Sequence, residues 1–517
     1  MPKVGESVNS NMSVVGEEAL PNCSAPFEVD KPADECGVFG IIAFNGQPVG
    51  VIAYGAALAQ KHRGASATGM AYHDPIESHT VIEKGLGGPM EAIPSLAPRD
   101  GLTPADIVKS PLAIVQNRYS TDPNDDIRGA QPFRGSNTGL IIAHNGHFQG
   151  LAPVAAKYGV DISRAPSDSG AWTTIIDEHL AKTGDIRATL KELLPQVGGA
   201  YCLTLAYGGA LIGVRDPQGV HPLVMGTFPN NGGAVFASEA VAFKGLDLET
   251  IRDVAPGEAV IVDKNGIDSF RFADPAPEHC LYESVYTSHE DGVTNGSSNR
   301  RARENMGRYL ADVLPVDADI VVGVPDSGIP VAKGYADASG CPESPAITKN
   351  HHQAPRTFLL RGEERDRALA MKFSIDADAV RGQRLVVVDD SSIKGNVSRQ
   401  IVRQLREAGA SEIHLRFAGP RYESPCPRGM DTSVIDELVA HGRTDAEIAE
   451  ILGADSVAFN SFDTVEKSID EARIDPRSAS LIGKHCSMCV LGERSGETLA
   501  AVNLQAAGRN LLELTLA

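Results

Sequence analysis

Cys36 opens the run Cys36-Gly37-Val38-Phe39-Gly40-Ile41-Ile42, whose apolar residues and glycines predict a buried strand that other backbone can approach closely. A thiol at the head of such a strand becomes a nucleophile if the chain is cut before it. The freed α-amine, with a pKa of about 8, can then act as its general base. Taken alone, such a cysteine is more often a buried core residue. Three polar clusters change the reading: Arg118-Tyr119-Ser120-Thr121, Ala143-His144-Asn145-Gly146-His147 and Ser167-Asp168-Ser169-Gly170. Each is expected at a strand end, and each alone reads as a turn or a cap. Together they supply what an amide-hydrolysing thiol needs. Arg118 can fork onto a substrate carboxylate and Asp168 can take its α-ammonium. The Asn145 amide and the Gly146 N–H can hold a developing oxyanion.

A second chemical pattern lies at Arg384-Leu385-Val386-Val387-Val388-Asp389-Asp390-Ser391-Ser392-Ile393-Lys394-Gly395-Asn396. Leu385–Val388 predicts a buried parallel strand with paired carboxylates at its carboxyl end, the edge where open α/β sheets bind ligands. Ser391, Lys394, Gly395 and Asn396 form a loop before a helix predicted over Val397–Ala408. Its N–H groups and the helix N-terminus can receive a phosphate. Asp389 and Asp390 suit ribose hydroxyls and Mg²⁺. The bland reading is an acidic turn after a strand.

The cysteines stand at 23, 36, 202, 280, 341, 426, 486 and 489. Cys486 and Cys489 form a Cys-x-x-Cys pair, with Cys280 and Cys426 as distant candidates. On spacing alone zinc, a redox dithiol and an iron–sulfur cluster all compete, with zinc favoured.

The elements that must position these groups fit two domains, since 517 residues exceed one ordinary core. Short β-like runs at Leu140–Ala143, Tyr201–Ala206, Ala210–Val214 and Ala259–Val262 and a helix over Asp168–Lys182, capped by Asp168 or Ser169, fill the first half. Boundaries are expected at 1–35 for a leader, 36–270 for the first domain and 271–517 for the second. Lys and Arg number 47 against 67 Asp and Glu, a net charge of −20, which argues against nucleic-acid and anionic-membrane surfaces. No apolar run approaches a membrane span, and residues 1–35 have no signal core. A cytoplasmic enzyme is expected.

In this order, ECGVFGI, HRG, RYST, AHNG, SDS, GAY and RDPQGVHPL resemble the N-terminal-nucleophile glutamine amidotransferase domain. That resemblance implies an αββα sandwich with Cys36, Asn145 and Gly146 catalytic and Arg118 and Asp168 binding glutamine. Residues 384–398 resemble the binding loop of type I phosphoribosyltransferases, an α/β fold acting on phosphoribosyl pyrophosphate. Val322–Gly328 resembles that family's pyrophosphate-side loop and adds Ser327 to the Mg²⁺ site of Asp389 and Asp390. Lys349–Phe358 resembles its closing loop. Cys280, Cys426, Cys486 and Cys489 resemble the four ligands of a 4Fe-4S cluster in the iron–sulfur branch of the glutamine phosphoribosylpyrophosphate amidotransferases, which also carries a propeptide. The combination implies the opening reaction of purine synthesis, ammonia passing between two sites, purine-nucleotide inhibition and a homotetramer.

The sequence departs from the family pattern at several points. Asn396 and Val397 replace two threonines, Lys394 an arginine, and His221 the arginine of the RPL triplet. Thr287-Ser288-His289 lacks another arginine, His351-His352 replaces Arg-Tyr, and His147 ends the AHNG pattern. A diverged paralogue acting on a phosphoribosyl-like substrate and a nucleotide-sensing protein without turnover are the alternatives.

Overall fold

A computed structural model of the chain describes residues 36–74, 79–98, 102–119, 127–350, 371–428, 435–474 and 484–491. Its first half is built on two antiparallel sheets. One has seven strands, in the order Thr250–Asp253, Val224–Thr227, Gly233–Ala237, Gly37–Ala43, Leu112–Arg118, Ala67–Asp74 and His79–Leu86. The other has six, in the order Gly266–Arg271, Glu258–Asp263, Ala210–Arg215, Gly198–Tyr207, Ile141–Gln149 and Phe133–Arg134.

Period-two alternation builds the layers. From strand Gly37–Ala43, Val38 and Ile42 join Ile141, Ala143, Leu211 and Phe236 between the sheets. Phe39 and Ile41 instead join Ala53, Ala56 and Ala57 of helix Gly50–Ala59 on the outer face. The outer face of the six-stranded sheet lies under helices Leu151–Tyr158, Asp168–Thr183 and Ile186–Leu193, whose Trp172, Ile176 and Leu190 bury with Ile142, Leu203 and Ile212. The result is the expected αββα sandwich.

The second half holds a parallel sheet, Ile320–Gly323, Arg384–Asp389, Glu412–Phe417 and Ser456–Phe459 in that order. Both faces are covered, which is why its strands read as apolar runs without alternation. Leu385 and Val387 bury with Ile401 and Leu405 of helix Asn396–Glu407. Val386 and Val388 bury with Met306, Val331 and Ile469, each from a different helix on the other side. Among the described residues no helix is long and apolar enough to cross a membrane.

Three local expectations are corrected. His144 to His147 do not follow a strand; they lie inside the strand Ile141–Gln149, paired throughout with Gly198–Tyr207. The His144 backbone and Nδ1 find buried partners there, so the strand has no reason to stop. The helix cap is Ser167, whose hydroxyl accepts from the Gly170 N–H at 3.2 Å, which leaves Asp168 as the first helical residue. The loop helix begins one residue early, at Asn396, because Gly395 takes a left-handed turn at φ +80°. Residues 1–35, Ser120, Thr121 and the expected closing loop from 351 onward lie outside the described residues.

Candidate functional site

Cys36 sits immediately before strand Gly37–Ala43, and the backbone of Tyr119, just past the neighbouring strand, grips its sulfur. The Tyr119 N–H donates to Sγ at 3.4 Å and the thiol donates to the Tyr119 carbonyl at 3.7 Å. Burial pushes the thiol pKa up, against the pull of the Tyr119 N–H and the Arg118 and Arg63 charges. The thiol therefore stays protonated at neutral pH and needs a base beside it, a role open to its own amine. Tyr119, which grips the sulfur, follows Arg118 directly, and the charges of Arg118 and Asp168 both reach the thiol. The Arg118 guanidinium lies over Gly129, where a Cβ would stand 2.8 Å from Nη2.

Asp168 is oriented by four donors or contacts. Its Oδ2 accepts from the Phe148 N–H at 3.1 Å, and its Oδ1 accepts from the Ser169 N–H at 2.6 Å and from the Ser169 hydroxyl at 3.2 Å. His147 Nδ1 lies 3.6 Å away. Burial would raise its pKa, but His144, His147 and the two N–H groups outweigh it and hold the carboxyl below its usual range. His144 is itself lowered to about 4 by burial, so it is neutral at pH 7 and the N–H groups carry the hold on Asp168 there. An ionised carboxylate with fixed oxygens suits a substrate ammonium.

Asn145 is buried, and its Nδ2 has no hydrogen-bond partner among the described residues. An orphaned buried donor is costly unless something arrives to accept from it, which fits an oxyanion. Gly146 has φ +124°, and a Cβ there would stand 2.0 Å from the Ala200 carbonyl oxygen, so only glycine fits. Sequence reasoning missed the residues that hold this strand in place. The Gln131 side chain accepts from the His144 N–H at 2.7 Å and donates to the Ser169 hydroxyl at 3.1 Å, while Gln116 donates to the His144 carbonyl at 3.4 Å. Nothing in a lone glutamine's neighbours marks it for such a bridge.

In the second half Asp389 ends its strand and Asp390 follows, both buried. The Asp390 N–H donates to Asp389 Oδ1 at 2.8 Å, and the Ser391 hydroxyl donates to Asp390 Oδ1 at 2.6 Å. Ser327, just before helix Gly328–Ser339, donates to Asp390 Oδ2, so the three expected Mg²⁺ residues are gathered. This all-oxygen donor set fits a hard divalent cation. Lys394 is buried against Glu437 at 2.7 Å, and Val397 turns into the apolar layer beside Ile401. Asn396 opens its helix, with its Oδ1 accepting from Arg399 at 3.4 Å.

Cys280, Cys426, Cys486 and Cys489 line one cavity with Val220, His221, Tyr282, Arg428 and Met488. None of the four is in a disulfide among the described residues, and Cys280 stands directly across from Cys486 in the parallel pair Glu278–Cys280 and Lys484–Cys486. Burial, then Cys426 and Cys486, push the Cys489 thiol far up, so thiolates here need a cationic partner. Four sulfurs bordering a common cavity fit a cluster's ligand set. Among the described residues no three His, Cys, Asp or Glu side chains form a ready-made set around a single ion.

No family model matches the chain. It is 35% identical over 506 residues to the amidophosphoribosyltransferase of Mycobacterium bovis, covering 95% of this chain and 91% of the relative. The chain belongs to the amidophosphoribosyltransferase family. Its counterpart from Archaeoglobus fulgidus is 33% identical over 443 residues, covering 84% of this chain and 94% of that one. Among solved structures, glutamine phosphoribosylpyrophosphate amidotransferase from B. subtilis, complexed with ADP and GMP, matches with a TM-score of 0.76 at 32% identity, covering 89% of this chain and 97% of its own. The family thus has the same order of halves, an N-terminal-nucleophile sandwich followed by a phosphoribosyltransferase sheet, and this chain is an enzyme of that family.

Proposed function

We propose that the chain is a glutamine-dependent amidophosphoribosyltransferase, converting phosphoribosyl pyrophosphate, glutamine and water to phosphoribosylamine, glutamate and pyrophosphate. The reading rests on one observation above all: a thiol gripped by the backbone next to Arg118 and within electrostatic reach of Asp168 shares a chain with an aspartate pair at a parallel strand's end. Arg118 takes the glutamine carboxylate and Asp168 its ammonium. The Cys36 amine removes the thiol proton as sulfur attacks the amide carbon, and Asn145 Nδ2 and the Gly146 N–H receive the oxyanion. Collapse expels ammonia, and water then releases glutamate from the thioester. In the second half Asp389 and Asp390 hold the ribose hydroxyls while ammonia displaces pyrophosphate at the anomeric carbon. Ser327, Asp389 and Asp390 would hold magnesium, which when bound would supply positive charge beside the departing pyrophosphate.

Cys36 can use its own amine only if residues 1–35 are removed. Purified protein given both substrates is expected to release glutamate and pyrophosphate one for one, and its intact mass is expected to start at Cys36. Pyrophosphate release with ammonia but never with glutamine would refute the two-site reading, and full activity in a chain starting at Met1 would refute the maturation. Purine nucleotides are the proposed inhibitors.

Cys280, Cys426, Cys486 and Cys489 would hold a 4Fe-4S cluster that ties the junction to the C-terminal segment. Brown protein with about four irons per chain is expected from anaerobic purification, and Cys489→Ser is expected to lose the colour. Stoichiometric zinc with no iron would overturn the assignment.

A further inference from the structure

Arg63 is fully buried and stands between the nucleophile and the second half. Its Nε donates to the Cys36 carbonyl at 3.3 Å. Its fork then meets two carboxylates. Nη1 donates to Glu239 at 2.7 Å and to Glu283 Oε2 at 3.0 Å, and Nη2 donates to Glu283 Oε1 at 2.7 Å. Glu283 is therefore the bidentate partner, and a planar fork matched to a carboxylate fixes orientation as well as charge.

Glu283 lies on a single turn of π-helix, Glu283–Thr287, directly after the junction cysteine strand. That turn is held rigidly. The Ser288 hydroxyl donates to Glu283 Oε2 at 2.7 Å, and His221 Nδ1 lies 3.6 Å from Oε1. Arg303, buried on helix Asn299–Val313, donates to the carbonyls of Ser284 at 3.1 Å and Ser288 at 2.6 Å. Leu281, Tyr282 and Val285 root the same stretch in the second half's core.

We propose that Glu283 is a positioning residue for the glutaminase, acting on Cys36 through Arg63. This rests on the function proposed above. A first residue has no preceding peptide to fix it, so its amine and thiol rotate freely unless two other points are held. Tyr119 holds the sulfur and Arg63 holds the carbonyl, which leaves the amine one direction in which to meet the thiol proton. Glu283 keeps the guanidinium in the plane that reaches that carbonyl. It touches neither glutamine nor the reacting atoms.

Glu283→Gln keeps the shape but loses the charge and one acceptor. It is expected to lower kcat for glutamine hydrolysis about 10- to 100-fold, the scale of a small misplacement of reacting groups. The KM for glutamine, set by Arg118 and Asp168, is expected to stay within about twofold, and ammonia-dependent synthesis is expected to persist. Ser288→Ala, which removes one hydrogen bond to Glu283, is expected to give a smaller loss with the same split and decides the matter if Glu283→Gln does not fold. An unchanged kcat in either soluble variant overturns the inference, as does a parallel fall in glutaminase and ammonia-dependent synthesis. A wild-type enzyme without glutaminase would instead refute the proposed function itself.

Discussion

Cys36→Ser is expected to abolish glutamine use, by on the order of 10³-fold or more, while ammonia-dependent synthesis continues. Serine keeps the size and the α-amine, but its hydroxyl is far less acidic than a thiol, and an amine of pKa about 8 ionises it far less readily. The second half makes its own core and carries its own ligand edge, so free ammonia still finds its acceptor. The measurement is glutamate release from glutamine beside pyrophosphate release from ammonium chloride at alkaline pH. Retained glutaminase would remove Cys36 from the mechanism, and loss of both activities in folded protein would remove the separation of sites.

Asp389→Asn is the mirror image. The amide keeps an acceptor for the Asp390 N–H, so the strand end should survive, but the charge proposed to face ribose and metal is gone. Losing one preorganised charged group costs on the order of 10²–10³ in rate. Pyrophosphate release is expected to fall by that much with either nitrogen source, with glutaminase retained. Equal loss of glutaminase, or transfer within a few-fold of wild type, would show that this carboxylate has another task.

The strands and helices were legible where side-chain period and burial agree. Leu385–Val388 is apolar without alternation because helices cover both faces, and it lies within the observed strand Arg384–Asp389. The AHNG stretch misled because polar residues normally mark a strand's end, whereas here Gln131, Gln116 and Ser169 hold the His144 backbone and ring inside a sheet. Those partners come from 13, 28 and 25 residues away, and no local pattern encodes such pairings. The phosphate loop shows the same limit. Val397 reads from sequence as a lost hydroxyl, yet its side chain lies in the apolar layer at 7% exposure, so threonine there would bury a hydroxyl among Ile401 and Leu405. Lys394 reads as a charge for substrate and is occupied by Glu437. Arg63 was visible only as part of HRG. Its two carboxylates lie 176 and 220 residues on, a distance that only the fold closes.

That separation also sets an order of events during synthesis. Translation runs at about 5–20 residues per second, so the ribosome needs roughly 10–40 s to travel from Arg63 to Glu283. Until Glu239 is made, 176 residues on, the nascent first half has neither carboxylate for Arg63, and from there to Glu283 it has Glu239 alone, so the fork that steadies Cys36 is incomplete. A truncated chain released in this window would be a poor source of ammonia, because the carboxylate that completes the nucleophile's hold belongs to the part of the polypeptide that consumes the product.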